Sequence, residues 1–346
     1  MGFLFTFFLI ILFLLILSYL TNHVFNGRCT ISHDMSGKTI IITGSSSGVG
    51  KYSAIDLVNH GAKVIFACRN EEKTKKVISE IKEDKRHLAA FEKLDLSSFK
   101  SVIDFANNIK SKYPKIDILM NNAGCIAYGY KETEDNLENC FQSNYLSPVL
   151  LTFLLMDHLN KNSRIINLAS ISHKACNFNK EIAKKVFDKE YLKTYCNSTV
   201  NINLLYGITK LGVVYFTQEL AEYLNNTNSS IKIVCLHPGA VYTPIFDFYG
   251  EATSSFFKII YKIINPILVL CFKNVEEGAQ TQLYLSYLEN NQIASGKYFV
   301  DCKFGSLSSK AKNKELEKFF FKETVEQLSK KLPQYKKEFS KYVKIE

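Results

Sequence analysis

Tyr206 and Lys210 stand four residues apart in the run YGITK. On a helix that spacing puts the phenol and the ammonium on one face. A free phenol titrates near ~10 and is a sluggish acid or base at neutral pH until a neighbouring positive charge favours its anion. Lys210 is placed to supply that charge. Upstream lie TGSSSGVG at Thr43 to Gly50, NNAG at Asn121 to Gly124, and a serine at Ser170. Together these residues offer an acid/base pair, a glycine turn able to cradle an anion, and a hydroxyl to hold a reacting oxygen.

Each motif alone is weak, since a tyrosine and a lysine four apart are more often a packing and solvent-facing pair. Their order changes that. The glycine turn, NNAG and Ser170 each follow an apolar run of β type, and in an open α/β sheet the carboxyl ends of strands converge on the ligand crevice. The runs Thr39 to Thr43, Lys63 to Cys68, Ala89 to Leu94, Ile116 to Met120, Arg164 to Ala169, Ile231 to Leu236 and Tyr298 to Val300 read as strands. Helical stretches alternate with them: Gly50 to Asn59, Glu71 to Lys82, Ser98 to Lys112, Asn136 to Leu159, Leu204 to Leu224 and Val275 to Leu288. This rhythm predicts an α/β fold: a single doubly wound Rossmann-type domain with a seven-stranded parallel sheet.

Gly44, Gly48 and Gly50 make the turn from the first strand into the first helix, where small residues let a pyrophosphate approach the helix N-terminus. An ATPase phosphate loop is the competitor. It fails because Ser45 stands where its first glycine belongs and Tyr52 where a magnesium-holding Ser or Thr belongs. At the end of the second strand, Cys68 and then Arg69 stand where an acid would accept from the ribose of NAD. NADP(H) is therefore preferred over NAD(H), with Arg69 facing the extra phosphate. The alternative is an ordinary surface charge.

With these motifs in place, the chain resembles the short-chain dehydrogenase/reductase superfamily, and within it the microsomal, membrane-anchored retinol dehydrogenase-like group. The resemblance runs from about Ser36 to Lys310 and includes ACRN at Ala67 to Asn70, HPGAVYT at His237 to Thr243, EEGAQT at Glu276 to Thr281 and SGKYFVDCK at Ser295 to Lys303. It implies that Tyr206 is the acid/base at the substrate oxygen, Lys210 holds the nicotinamide ribose, Ser170 hydrogen-bonds the reacting oxygen, and Asn144 supports a water relay to the lysine. It further implies cofactor contacts from Thr43, Gly44, Ser46, Ser47, Gly48, Val49 and Gly50 in the turn, and from Asp95 and Leu96 at the adenine. Asn122, Ala123 and Gly124 would line the cofactor, and Pro238, Gly239, Val241 and Thr243 would lie towards the nicotinamide. His237 reads as structural. The implied substrate is lipophilic, with retinoids the first class and steroids, fatty aldehydes and other isoprenoids open.

The 346 residues divide on this reading into an anchor (1–22), a linker (23–36), the catalytic domain (37–310) and a basic helical tail (311–346). No Asp, Glu, Lys or Arg occurs before Arg28, and Phe3 to Leu20 is almost wholly apolar. Eighteen helical residues span about 27 Å, close to the hydrocarbon core of a bilayer. A cleaved signal peptide is the rival, disfavoured by the lack of a basic start and of a small-x-small site. Arg28 and Lys38 follow the span, which places the catalytic domain in the cytosol, at an endoplasmic reticulum membrane by resemblance. Sequons at Asn197, Asn225 and Asn228 would matter only in the opposite topology.

Nine cysteines are scattered with no CxxC pair, so neither a metal site nor a disulfide framework is suggested. Of the net charge of +10, the tail from Lys310 to Glu346 carries half: eleven lysines less six glutamates. It reads as a solvated, partly helical extension, or alternatively as a contact for anionic lipid. Nucleic acid is not an expected partner. The aromatic and aliphatic stretch 253–272, broken by Lys258, Lys262 and Pro266, suits a substrate lid touching the membrane rather than a second span. Oligomeric state has no sequence signature. A catalytically idle nucleotide-binding scaffold is the competing class, and it has no need of Asn144, Ser170, Tyr206 and Lys210 together.

Overall fold

A computed structural model describes residues 6, 13, 15–24, 26–126, 129–243, 269 and 271–343. Short runs rich in Ile, Val and Phe form one sheet: β1 (Thr39–Thr43), β2 (Lys63–Cys68), β3 (Ala89–Lys93), β4 (Ile116–Asn121), β5 (Leu159–Leu168), β6 (Lys232–His237), β7 (Tyr298–Val300) and β8 (Lys303–Phe304). Their spatial order is β3-β2-β1-β4-β5-β6-β7-β8. The chain therefore reverses its direction of winding between β1 and β4, and a ligand crevice opens at such a switch point.

Seven strands are parallel, but β8 returns antiparallel on β7, pairing Val300 with Lys303. The expected seven-stranded parallel sheet is thus corrected to eight strands with an antiparallel edge. Asp301 and Cys302, at φ 50° and 58°, close the two-residue turn. Left-handed pairs of this kind usually announce themselves as Asn-Gly or Asp-Gly. Asp-Cys carries no such signal.

Helices α1 (Gly48–Asn59), α2 (Glu71–Ser79), α3 (Phe99–Lys112), α4 (Ser147–Leu155), α5 (Thr199–Asn226), α6 (Val275–Tyr287) and α7 (Lys314–Lys331) cover both faces of the sheet. Their starts are chemically marked. Asn70 accepts from Lys73 N–H and Ser98 from Ser101 N–H, while Asn274 and Glu277 form a reciprocal capping box. Along β1, Ile40 and Ile42 pack into one buried cluster with α1 and α6, and Ile41 into the other with α3, α4, α5 and α7. All three are fully buried, as a strand covered on both faces requires.

The C-terminal segment departs from expectation. Leu316, Phe320, Phe321, Val325, Leu328 and Leu332 recur at helical spacing and are all buried in the same cluster as α5. Phe320 stacks on Tyr145 with centroids 5.3 Å apart, and the Tyr145 hydroxyl lies 2.9 Å from Thr324 Oγ1. The tail is therefore a packed layer of the domain and not a solvated extension. Its lysines lie on the outer face of a helix whose inner stripe is apolar.

The long helix expected from Asn136 to Leu159 is also broken. A short α turn (Asn139–Phe141) leads into a π turn (Gln142–Leu146), in which Ser147 N–H bonds Gln142 O, and then into α4. Pro148 has no N–H to return to the carbonyl of Asn144, so the regular ladder cannot continue through this point. The wider turn carries Asn144. Among the described residues no helix is long and apolar enough to cross a membrane. Most of the expected anchor, and most of the expected lid at 253–272, lie outside the described residues. Asn22 Nδ2 donates to Cys271 O at 2.8 Å and His23 sits 2.9 Å from Glu277 on α6.

Candidate active site

The carboxyl ends of β1, β2, β4, β5 and β6 open into a cleft of about 1470 Å³. Its floor at β1 is set by backbone contact. Thr43 Oγ1 accepts from Asn122 N–H and Ala123 N–H, both at 3.0 Å, and Asn122 Nδ2 donates to Thr43 O at 2.8 Å. A Cβ at Gly50 would stand 2.3 Å from Asn122 Nδ2, and one at Gly44 would stand 2.9 Å from Ala123 Cα. Only glycine lets the β1 turn and the NNAG strand end close together here. Ser47, the N-cap of α1, makes no side-chain capping bond. The first N–H groups of α1 therefore keep the positive helix end open to the cleft.

Gly44, Ser46, Ser47, Gly48, Val49 and Gly50 line this end together with Asn122, Ala123 and Gly124. Arg69 lies at the end of β2, with Asp95 and Leu96 beyond β3. Ser170, Tyr206 and Lys210 form the opposite end with Pro238, Gly239, Val241 and Thr243. Thr43 and Asn144 sit behind the wall and act through neighbours. A dinucleotide fits this layout: an anion cradle at α1, an adenine slot at β2 and β3, and a reactive end at β5 and α5.

Lys210 is buried, and its Nζ donates to Leu168 O at 2.8 Å. Burial lowers its pKa from 10.5 to about 8, with Cys140 and Cys125 pulling the other way. The ammonium stands 5.6 Å from the centre of the Tyr206 ring, one helical turn back on α5. Ser170 Oγ accepts from Ser172 N–H and donates to Ser172 Oγ, each at 3.2 Å. Asn144 spends its amide on the strand-end loop, accepting from Cys125 N–H and donating to Cys125 O, both at 2.8 Å. A Cβ on Gly124 would lie 3.5 Å from Lys210 Nζ and 3.6 Å from Asn144 Oδ1, so all three meet at one point. His237 is buried beside the cleft, and burial, reinforced by Lys273, lowers its pKa to about 4. It is neutral at physiological pH.

Several cleft residues escaped the reading of the sequence, Lys73, Asn203 and Cys125 among them. Lys73, in the first turn of α2, joins Arg69 at the adenine end. Asn203 precedes Tyr206 by three on the same helix and also lines the cleft. Cys125, the residue after NNAG, lines it too and was read only as a scattered cysteine.

The family model for short chain dehydrogenases matches residues 38–180. Retinol dehydrogenase 12 of Mus musculus is 36% identical over 293 residues, covering 84% of this chain and 85% of its own. Retinol dehydrogenase 13 of Homo sapiens is 35% identical over 300 residues, covering 86% of each chain. Among solved structures, an uncharacterized protein from Mycobacterium paratuberculosis superposes with a TM-score of 0.67 at 23% identity, covering 88% of this chain and 98% of that one. A short chain dehydrogenase from Burkholderia cenocepacia, solved in complex with NADP, gives 0.56 at 19% identity, covering 77% and 97%. These two likenesses speak for the fold.

Proposed function

The chain belongs to the short-chain dehydrogenase/reductase family, in its retinol dehydrogenase-like group, and from that membership we propose a membrane-anchored, NADP(H)-dependent oxidoreductase that interconverts a lipophilic alcohol and its carbonyl. A retinoid-like compound is the first substrate class. The observation that carries the reading is Lys210, an ammonium buried at the foot of the cleft and held beside the Tyr206 ring. A buried charge is unfavourable unless it is paired and hydrogen-bonded, and among the described residues Lys210 Nζ has a backbone carbonyl and no carboxylate beside it.

A nicotinamide held at this end would supply, or take up, the hydride exchanged with the carbon bearing the reacting oxygen. Tyr206 gives its proton to that oxygen in reduction and takes it back in oxidation. The Lys210 charge favours the phenolate and so brings the hydroxyl towards the working pH. Ser170 Oγ turns from Ser172 to the substrate oxygen and holds it within reach of the phenol. Asn144, by clamping both backbone groups of Cys125, keeps the loop under the nicotinamide end in place. Arg69 and Lys73, which line that end of the cleft, would face the phosphate on the adenosine ribose of NADP.

Two further observations support an apolar substrate at a membrane. Ile171, the residue after Ser170, lines the cleft with 51% of its surface exposed. The uncharged run Phe3 to Leu20 is of spanning length, and Arg28 and Lys38 after it favour a cytosolic catalytic domain at the endoplasmic reticulum. The test follows NADPH absorbance with a panel of all-trans-retinal, long-chain aldehydes and steroid ketones. Tyr206→Phe removes only the hydroxyl, so turnover of any accepted carbonyl is expected to fall by about 10²- to 10⁴-fold with NADPH binding retained. Turnover within tenfold of wild type removes Tyr206 from the mechanism.

A further inference from the structure

We infer that His173 is a positioning residue for Ser170, setting the height of its hydroxyl against Tyr206 from behind the cleft wall. The inference rests on the reading of Ser170 as the group that holds the substrate oxygen. His173 is fully buried, and its Nδ1 lies 2.6 Å from Ser170 O. A carbonyl only accepts, so Nδ1 carries the ring proton. The backbone N–H of His173 reaches the same carbonyl at 3.2 Å, so one residue grips the Ser170 carbonyl twice.

The ring is itself fixed. It meets Tyr298 of β7 edge to face, with centroids 5.1 Å apart and planes at 70°. Burial lowers the imidazole pKa, against the bond to Ser170 O, which raises it. Among the described residues Nε2 has no hydrogen-bond partner. Burying such a nitrogen is unfavourable, so stability alone would select an apolar side chain here.

The grip transmits to the acid/base through the catalytic helix. A Cβ at Gly207 would lie 2.7 Å from Ser172 O, so α5 abuts the short turn Ile171–Lys174 one residue after Tyr206. Ser172 N–H in turn holds Ser170 Oγ. The serine is thus pinned by His173 from below and by the Tyr206 helix from the side. Misplacing a reacting group by about 1 Å can cost on the order of 10²-fold in rate.

The experiment compares His173→Ala, His173→Asn, Ser170→Ala and the double variant Ser170→Ala/His173→Ala in the full-length, detergent-solubilised protein, with all-trans-retinal and nonanal as carbonyl probes. His173→Ala is expected to lower kcat about 10- to 100-fold with NADPH affinity within twofold. His173→Asn, whose amide can restore the donor, is expected to recover most of the loss. In the Ser170→Ala background, His173→Ala should cost less than twofold further, because it acts through the serine. Equal losses in both backgrounds make the histidine a merely structural residue and overturn the inference, as does full activity of His173→Ala. An unaffected Ser170→Ala counts instead against the proposed role of Ser170, and a wild type inactive on both probes against the proposed substrate class. Hydrogen exchange over residues 168–176 reads the grip without turnover. Faster exchange in His173→Ala and its reversal in His173→Asn support the grip, and unchanged exchange overturns it.

Discussion

Lys210→Met is expected to abolish turnover and, in the cofactor-free protein at neutral pH, to leave the fold more stable. Burial lowers the lysine from 10.5 to about 8. A tenfold change in proton affinity is 1.36 kcal/mol, so keeping this group charged in the fold at pH 7 costs about 3 kcal/mol. That cost is net of the charged hydrogen bond to Leu168 O at 2.8 Å, so the gain from methionine at pH 7 is at most about 3 kcal/mol. The dependence on pH is the sharper measure. Because the folded value lies below the unfolded one, the unfolded chain binds more protons between pH 8 and 10.5, and stability returns as pH rises through that window. The charge's cost falls from about 3 kcal/mol at pH 7 to about 2 kcal/mol at pH 9, so the gap between variant and wild type should narrow by about 1 kcal/mol. Urea unfolding at the two values measures this, since groups common to both proteins cancel. A gap that stays constant or widens with pH refutes burial as the dominant influence on Lys210.

Arg69→Ala should weaken NADPH far more than NADH, because only NADPH carries the phosphate, and Lys73→Ala should do so more mildly; titration of both nucleotides checks this, and equal losses would assign these residues to the fold. The Glu219 carboxyl on α5 is raised to about 8, by burial first and by the Glu317 carboxyl near it on α7. A raised acid contributes stability below its unfolded value near 4.5 and loses it as pH rises through 8, so Glu219→Gln should flatten the fall in Tm between pH 6 and 8.5; an unchanged slope would sink the pairing. Full-length protein should stay with membranes after alkaline carbonate washing, and deletion of residues 1–27 should release a folded domain, since β1 begins at Thr39. A glycosidase-sensitive mass shift at the sequons would place the domain in the lumen instead.

What the sequence determined by itself is what short-range chemistry encodes. The bounds of β1, β2 and β7 are legible because their runs of Val, Ile and Phe end at glycines, helix caps or charges. The helix starts at Ser98 and Asn274 are legible because a capping side chain lies within one turn of the N–H it serves. The glycine turn, Ser170 and the Tyr206 and Lys210 pair carry their spacing in the chain, and the strand-end rule brings them to one cleft. Tertiary structure decided the rest. That α7 is a core layer depended on Tyr145 and Phe153 far upstream offering rings to Phe320 and Phe321, a pairing no local window contains. The burial that lowers Lys210, the clamp of Asn144 on Cys125, and the grip of His173 on Ser170 all arise where separate elements meet. Residue types name what a group can do, but its pKa and its aim are set by neighbours that only the closed fold supplies.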